Sequence, residues 1–142
     1  GFFASGGADS IIRIWEKESG VCVKSMSAHS GDIWSLCFLD DMELLVSGGF
    51  DKSIKVWDAA TWSLLKVMDG HSDTINSIIY NKDSKKIVSA SSDRMIRIWN
   101  IHTGECISKV IGHKDLISKI AKAGENIVSA SWDKTVRVWM ID

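Results

Sequence analysis

The segment Ser89-Ala90-Ser91-Ser92-Asp93, with Trp99 six residues after its aspartate, decides the fold because the chain contains four versions of it. The aspartates of the four versions are separated by 42, 42 and 40 residues. Repeats of this length are typical of arrays of structural units, and this periodicity carries more weight than the prior of roughly 150 residues per domain. The other versions run from Ser5 to Trp15, from Ser47 to Trp57 and from Ser129 to Trp139.

The residues before each tryptophan indicate β-strands rather than helices. Ile96-Arg97-Ile98-Trp99 alternates with a period of two and is rich in β-branched and aromatic residues. HEAT and armadillo helical repeats have a similar length, but clusters of Gly, Ser, Asp and Asn interrupt this chain too often for amphipathic helices. Each full repeat is therefore predicted to form four strands, labelled a to d. In the second repeat these are residues 33–38, 44–48, 54–57 and 64–68.

The composition of the 142-residue chain argues against several classes of protein. No segment approaches the roughly 20 apolar residues of a membrane span, and because the first residues do not have the pattern of a secretory leader, we do not expect secretion. The net charge of −1 argues against a nucleic-acid partner held by bulk charge. Three cysteines without a CxxC pair argue against a disulfide scaffold or a zinc site. We expect an intracellular, cytoplasmic protein, with the nucleus as the alternative, and neither a metal nor a cofactor.

A histidine also recurs with the repeat, 42 residues from one copy to the next. Together with the repeated Ser, Asp and Trp, it makes the chain resemble the WD-repeat (G-beta-like repeat) β-propeller family over essentially every residue. Trp57-Asp58 is the one literal Trp-Asp ending, and Ala28 stands where the family has glycine. The resemblance implies an all-β WD-repeat propeller segment with four-stranded antiparallel blades, about three and a half of them. The histidine dipeptides are Ala28-His29, Gly70-His71 and Gly112-His113.

The resemblance places the whole chain in one propeller. Residues 1–28 are expected to form strands b, c and d of the first blade. Residues 29–70 and 71–112 would form the second and third blades, and residues 113–142 strands a, b and c of the fourth. A propeller typically has about 4–8 blades. The sequence therefore predicts further blades, supplied by the rest of the chain or by a second copy.

The resemblance also implies that the repeated His, Ser, Asp and Trp form a hydrogen-bonded tetrad in each full repeat. A hydrolytic Ser-His-Asp site is the alternative chemistry for these residue types. However, an active site is needed once per chain, whereas this set recurs with the fold period. In a tetrad, Trp donates, Ser donates and accepts, His relays and Asp accepts. The predicted tetrads are His29, Ser47, Asp51 and Trp57; His71, Ser89, Asp93 and Trp99; and His113, Ser129, Asp133 and Trp139.

Two further sets of positions carry structural expectations. A basic residue recurs in strand c, and we expect its stem to pack between blades while its charge reaches water, rather than binding phosphate. In the fourth blade, lysines replace Ser77 and Tyr80 of strand a at positions 119 and 122, and we expect that strand to pack loosely. The recurring basic residues are Arg13, Lys55, Arg97 and Arg137.

The function that the resemblance implies is a non-catalytic scaffold for protein–protein interaction. In the family, the d–a and b–c loops open on one end of the propeller, the top, where proteins or peptides bind. Exposed aromatic clusters often mark such sites; the alternative is that Trp34 and Phe50 merely cover each other. A second hypothesis is a structural subunit of a large permanent assembly, and no catalytic motif favours an enzyme. The predicted partner-binding residues are Asp32, Trp34, Phe50, Thr74, Asn76, Ser92, Leu116, Ser118 and Trp132, with Ala8 from the first blade.

Overall fold

The computed structural model describes residues 1–140, which form strands and turns with no helix among them. The alternating segments become strands because β-branched and aromatic side chains pack well on a pleated surface. The strands are β1 (Phe2–Gly6), β2 (Ile11–Glu16), β3 (Cys22–Ser27), β4 (Ile33–Leu39), β5 (Leu44–Gly49), β6 (Ile54–Asp58), β7 (Leu64–Met68), β8 (Ile75–Asn81), β9 (Lys86–Ser91), β10 (Met95–Asn100), β11 (Cys106–Ile111), β12 (Ile117–Ala123), β13 (Asn126–Ser131) and β14 (Val136–Met140).

These strands form four antiparallel sheets, in each of which sequence neighbours pair. The sheets contain β1–β3, β4–β7, β8–β11 and β12–β14. The architecture is that of a partial β-propeller of about three and a half blades, as the sequence predicts. In the second blade, β4, β5 and β6 each end one residue later than predicted, and β7 has the predicted bounds. The last two residues of the predicted fourth blade, 141 and 142, lie outside the described residues.

The sheets pack face to face, and alternation along strand c decides which side chains enter each interface. Ile12 and Ile14 of the first blade pack against Leu45 and Trp57 of the second blade. The interface between the second and third blades repeats the arrangement, with Trp99 buried against second-blade residues. Where two described blades meet, strand c of one therefore presents its aliphatic side chains to the following blade, and the tryptophan of the next strand c faces back to the preceding one.

Serine hydroxyls link the inner strands of successive blades. Ser35 Oγ in β4 accepts the backbone N–H of Ile78 in β8 at 2.8 Å. Ser77 Oγ in β8 accepts the backbone N–H of Ile120 in β12 at 3.3 Å. Because an unpaired buried N–H is costly, these contacts help to fix each blade against the next.

The expectation that strand a of the fourth blade packs loosely is wrong. Ile117 and Ile120 of β12 are each only 1% exposed and belong to the core shared with the third blade. Lys119 is exposed, and Lys122 reaches across so that its Nζ lies 2.7 Å from Asp83 Oδ2. The two isoleucines make the buried contact, so the lysine replacements do not loosen it.

The expectation for the basic residue of strand c also fails at one position. Arg97 is only 9% exposed, its Nε has no hydrogen-bond partner, and its guanidinium lies 6.0 Å from the Trp99 ring centroid. Its charge is therefore covered rather than solvated, and the aromatic face provides part of its surroundings. Lys55 at the matching position of the second blade donates to the Ala28 carbonyl at 2.6 Å.

Candidate functional site

The antiparallel order brings the b–c turns and the d–a loops to the same end of every blade, since strand a leads away from this end and strand b returns to it. A backbone hydrogen bond joins the two loops in each described case. The Phe50 N–H donates to the Asp32 carbonyl at 2.9 Å, and the Trp132 N–H donates to the Leu116 carbonyl at 3.0 Å. In the third blade the Ser92 N–H donates to the Thr74 carbonyl at 2.9 Å.

A β-bulge near the start of each strand a turns one further residue towards this end. The register of the β4–β5 ladder shifts between Ile33 and Ser35, which leaves Trp34 unpaired. Equivalent shifts leave Asn76 in β8 and Ser118 in β12 unpaired. Bulges commonly re-aim a side chain out of the ladder. The predicted partner-binding residues thus lie together at one end, three from each of blades two to four, and we call this set the top face.

Three large aromatic side chains of the top face are open to solvent. Trp34 is 59% exposed, Phe50 60% and Trp132 68%. Trp34 and Phe50 therefore do not cover each other completely, since each keeps more than half of its surface in water. Phe50 instead lies over Gly31, where an added Cβ would come within 2.8 Å of its Cδ1. The glycine therefore makes room for the aromatic ring beside the d–a loop.

The third blade presents only polar groups at the same three positions, Thr74, Asn76 and Ser92, which we call the polar saddle. Asn76 Nδ2 donates to Ser92 Oγ at 3.0 Å and to the Ile117 carbonyl at 2.8 Å. The second of these bonds crosses to the fourth blade. The top face therefore has apolar sites on blades two and four, separated by a hydrogen-bonded polar region.

The remaining predicted residues surround these features. Asp32 and Leu116 are half-buried in their d–a loops, whereas Ser118 is exposed and its Oγ donates to the Ala130 carbonyl at 3.2 Å. Ala8 of the first blade is exposed. No member of the predicted set is fully buried, so each is in a position to contribute surface to a partner.

Below the top face, hydrogen bonds join the four residues predicted for each tetrad. In the second blade, His29 Nδ1 lies 2.9 Å from both carboxylate oxygens of Asp51, His29 Nε2 lies 2.7 Å from Ser47 Oγ, and Trp57 Nε1 donates to that oxygen at 2.9 Å. In the third and fourth blades the corresponding distances are 2.6–2.8 Å. Trp15 Nε1 of the first blade donates to Ser5 Oγ at 2.8 Å.

The chemistry of the groups gives each tetrad a direction. A carboxylate only accepts, so the histidine Nδ1–H donates to Asp, and the Nε2 of a neutral ring accepts the serine O–H. Burial lowers the pKa of His29, although the nearby Asp51 acts to raise it. The lowered pKa keeps this ring neutral. Burial acts to raise the pKa of Asp51 and Asp93, but the contacts with His29 and His71, together with hydrogen bonds from neighbouring backbone and side-chain groups, outweigh it and hold both values below normal.

These Ser-His-Asp contacts resemble those of a hydrolase, but burial assigns them a different role. Ser47, Ser89 and Ser129 are each 0% exposed, and each Oγ already accepts an indole N–H. A nucleophile must reach its substrate. The tetrads therefore tie strands b and c to the d–a loop.

The described residues also bear on two other kinds of feature, a metal centre and a membrane-spanning helix. These residues hold no group of three or more His, Cys, Asp or Glu side chains suited to a metal ion, and no helix long and apolar enough to cross a bilayer.

Sequence reasoning missed a set of exposed cations beside the aromatic residues. Lys52, Arg94 and Lys134 directly follow the tetrad aspartates at the tips of the b–c turns, with φ of 68°, 70° and 68°. Each backbone N–H closes its turn by donating to the carbonyl three residues earlier, at 3.1–3.2 Å. The signal was present, since a basic residue follows the aspartate in each of the last three repeats, but the sequence alone did not place it on the top face.

Comparison with known proteins agrees with this geometry. A solved structure of U3-55K is 28% identical in sequence and superposes with a TM-score of 0.92, covering 99% of this chain and 45% of that chain. This chain therefore spans less than half the length of that neighbour. In all, 1268 chains of solved structures match, whereas no curated protein sequence gives a significant match.

The family models give the most specific result. The WD40 model, described as WD domain, G-beta repeat, matches residues 20–58, 62–100 and 104–140. These matches begin within the c–d region of one blade and end with strand c of the next, so each contains one tetrad. Because the three matches cover most of the chain and each contains the tetrad residues found in the structure, the protein belongs to the WD40 family.

Proposed function

We propose that the protein is a non-catalytic scaffold that binds other proteins or peptides through the top face. WD40 repeats support a protein-interaction role in general, and the exposure of Trp34, Phe50 and Trp132 carries the assignment to this end. Large aromatic side chains held in water are disfavoured unless something covers them, and tryptophan is enriched among residues that dominate binding energy.

The rigidity of the loops supports this proposal. Each top-face loop pair is closed by a backbone hydrogen bond and anchored by a tetrad aspartate, as when Asp51 accepts the Ser30 N–H at 3.2 Å. A surface that is already ordered loses little conformational entropy when a partner binds. The top face therefore suits a platform on which partners assemble.

The fourth blade leaves a second apolar surface open to solvent, on strand c. Val136 and Val138 of β14 are 68% and 64% exposed, whereas Ile96 and Ile98 at the matching positions of the third blade are 1% and 5% exposed. The following blade covers those isoleucines. We propose that a further blade, from the rest of the chain or from a second copy, covers the two valines.

Sedimentation of the 142-residue polypeptide tests the need for further blades. We expect it to self-associate or to lack a cooperative unfolding transition, because the exposed face costs about 25 cal/mol for each Å² of apolar surface left in water. A compact 15.7 kDa monomer that melts cooperatively contradicts the proposal.

Affinity capture with the full-length chain tests the binding function. Trp132→Ala is expected to weaken partner binding by about 2 kcal/mol or more while leaving the melting temperature nearly unchanged, because the side chain is largely in water. His102→Ala is the matched control, an exposed aromatic residue in the c–d turn at the opposite end. If Trp132→Ala binds every recovered partner normally and His102→Ala does not, the binding surface is at the other end.

A further inference from the structure

We propose that the ligand of the top face is an extended acidic peptide segment, with two bulky apolar side chains on either side of its acidic residues. This inference rests on the proposed function and specifies the chemistry of the partner. One apolar side chain would contact Trp34 and Phe50 on the second blade. The other would contact Trp132 on the fourth blade, and the acidic residues would cross the polar saddle between them.

The distribution of apolar surface requires two separate anchors. The second blade offers Trp34 and Phe50, the fourth offers Trp132 with half-buried Leu116 beside it, and the third blade offers no apolar group at these positions. A single compact apolar ligand cannot cover both sites without burying the polar saddle. Burial of unpaired polar groups is unfavourable, so the segment between the two anchors should itself be polar.

Hydrogen bonds hold the polar saddle in one conformation beneath such a segment. Asn76 uses its Nδ2 to hold both Ser92 and the Ile117 carbonyl of the neighbouring blade. Ser91 Oγ donates to the Asp73 carbonyl at 3.0 Å and accepts the Asp93 N–H at 3.0 Å. The distance between the two apolar sites is therefore fixed by hydrogen bonds, which favours ligands whose anchors have one particular spacing.

Charge favours acidic residues in the middle of the ligand. Arg94 lies at the tip of the b–c turn beside Ser92, and Lys52 and Lys134 occupy the same position next to Phe50 and Trp132. None of these three cations forms an ion pair within the described residues. Lys114 in the fourth-blade d–a loop is also exposed.

Apart from Asp9 and the tetrad aspartates, the acidic side chains at the top end of the blades lie in the d–a loops rather than at the tips of the b–c turns. Asp73 and Asp115 are exposed in the d–a loops, and each carboxylate accepts the backbone N–H of the next residue at 2.7 Å. Asp32 lies beside the second-blade aromatic residues, and Asp9 pairs with Arg13 at 2.7 Å.

The second blade offers one exposed cation, Lys52, beside Asp32, whereas the third and fourth blades offer Arg94, Lys114 and Lys134 beside Asp73 and Asp115. We therefore place the ligand's acidic residues over the polar saddle, between the two apolar anchors and on the side of the fourth blade.

The backbone at the cations supports a role for their side chains. A positive φ favours Gly, Asn or Asp, and a long side chain there is uncommon. The first blade has Ser10 at this position, with φ of 65°. Blades two to four have Lys, Arg and Lys at this position. In three successive turns a basic residue therefore adopts the unfavourable positive φ. The turns therefore fix the backbone positions from which these three basic side chains extend.

Fluorescence anisotropy with the full-length chain tests the inference. The probes are labelled synthetic peptides with two Phe residues separated by about four to eight residues, which extended chain spans at about 3.3 Å each. The separating residues are Glu and Ser, Ser alone, or Lys and Ser. We expect the Glu series to bind at least about tenfold more tightly than the other two at one optimal spacing. Equal binding of all three series, or no binding, overturns the inference.

Variants link the effect to the named residues. Arg94→Glu should weaken binding of the Glu peptide about tenfold and strengthen binding of the Lys peptide. Trp34→Ala and Trp132→Ala should each weaken binding of the Glu peptide at least as much. Lys24→Glu on outer strand β3 makes the same charge change on an exposed residue away from the top face and should have no effect. If captured proteins depend on Trp132 but peptide binding ignores Arg94, the proposed function stands and this inference fails.

Discussion

The second and third blades carry the same tetrad but pack differently at the residue before its histidine. Gly70 precedes the third-blade histidine, and a Cβ added to it would lie 2.8 Å from Arg97 Nη1 and 3.1 Å from Trp99 Cη2. Ala28 precedes the second-blade histidine; it is 2% exposed, and its carbonyl accepts Lys55 Nζ at 2.6 Å. The glycine therefore leaves room for the arginine guanidinium, whereas alanine stands where strand c carries the slimmer lysine. The fourth blade packs in the same way as the third, with Gly112 before its histidine and Arg137 in strand c.

The largest expected loss of stability comes from breaking the tetrad, which the two blades share. Asp93→Ala removes the acceptor for His71 Nδ1 and for the backbone N–H groups of Ser72 and Met95. We expect a loss of about 2–3 kcal/mol of folding free energy in the full-length chain, since buried donors lose their partner.

Asp115→Ala is the control for that change, because this exposed aspartate accepts one local hydrogen bond and lies outside the tetrad. It should leave the urea midpoint nearly unchanged. Equal shifts of the midpoint for the two variants would mean that the tetrad does not stabilise the blade.

The next largest effect tests the difference between the blades. Gly70→Ala should cost about 1–2 kcal/mol, because the added methyl group collides with Arg97 and Trp99. Introducing Arg97→Lys as well should recover part of this loss, since the second blade combines alanine with lysine. The double-mutant cycle is measured by chemical denaturation. Additive losses would contradict the explanation that the side chain of strand c decides which residue precedes the histidine.

The smallest effect concerns pH. Because burial lowers the pKa of His29 in the folded state, the unfolded chain binds more protons than the folded one below the usual value of about 6.5. This contribution to stability is complete above pH 6.5 and declines as pH falls. The lowered pKa values of Asp51 and Asp93 add a second decline, below about pH 3.8.

Urea midpoints measured from pH 8 to pH 5 test the histidine part of this expectation. The midpoint should fall towards pH 5 in the full-length chain, and His29→Gln should reduce that slope. A midpoint that stays constant or rises on acidification would show that His29 is not held neutral.

The repeat made the strands and the tetrads predictable, because each position can be compared with its copies. Trp99, Ser89, His71 and Asp93 recur with the repeat spacing, the resemblance to the WD-repeat family implied that they are hydrogen-bonded to one another, and their donor and acceptor groups fit that arrangement. Contacts between blades have no such signature. Lys66 Nζ donates to the Ile101 carbonyl at 3.1 Å across 35 positions, and no periodicity points to that pair.

The side-chain environment of the basic residues was equally hidden. The pattern shows Arg97 and Arg13 as equivalent, but Arg97 is only 9% exposed, whereas Arg13 pairs with Asp9. The burial of one arginine and the ion pair of the other are properties of packing that the repeat pattern does not show. For the top face, the positions were predicted, but the solvent exposure of Trp34 and the arrangement of the cations came from the structure.

Hydrogen exchange of the full-length chain, with and without a captured partner, tests the central claim most directly. We predict slower exchange at the top-face loops, residues 30–34, 50–53 and 132–135, when the partner binds. Exchange at the opposite turns, residues 59–63 and 101–105, should stay the same. Slowing confined to those opposite turns would contradict the assignment of the top face as the binding surface.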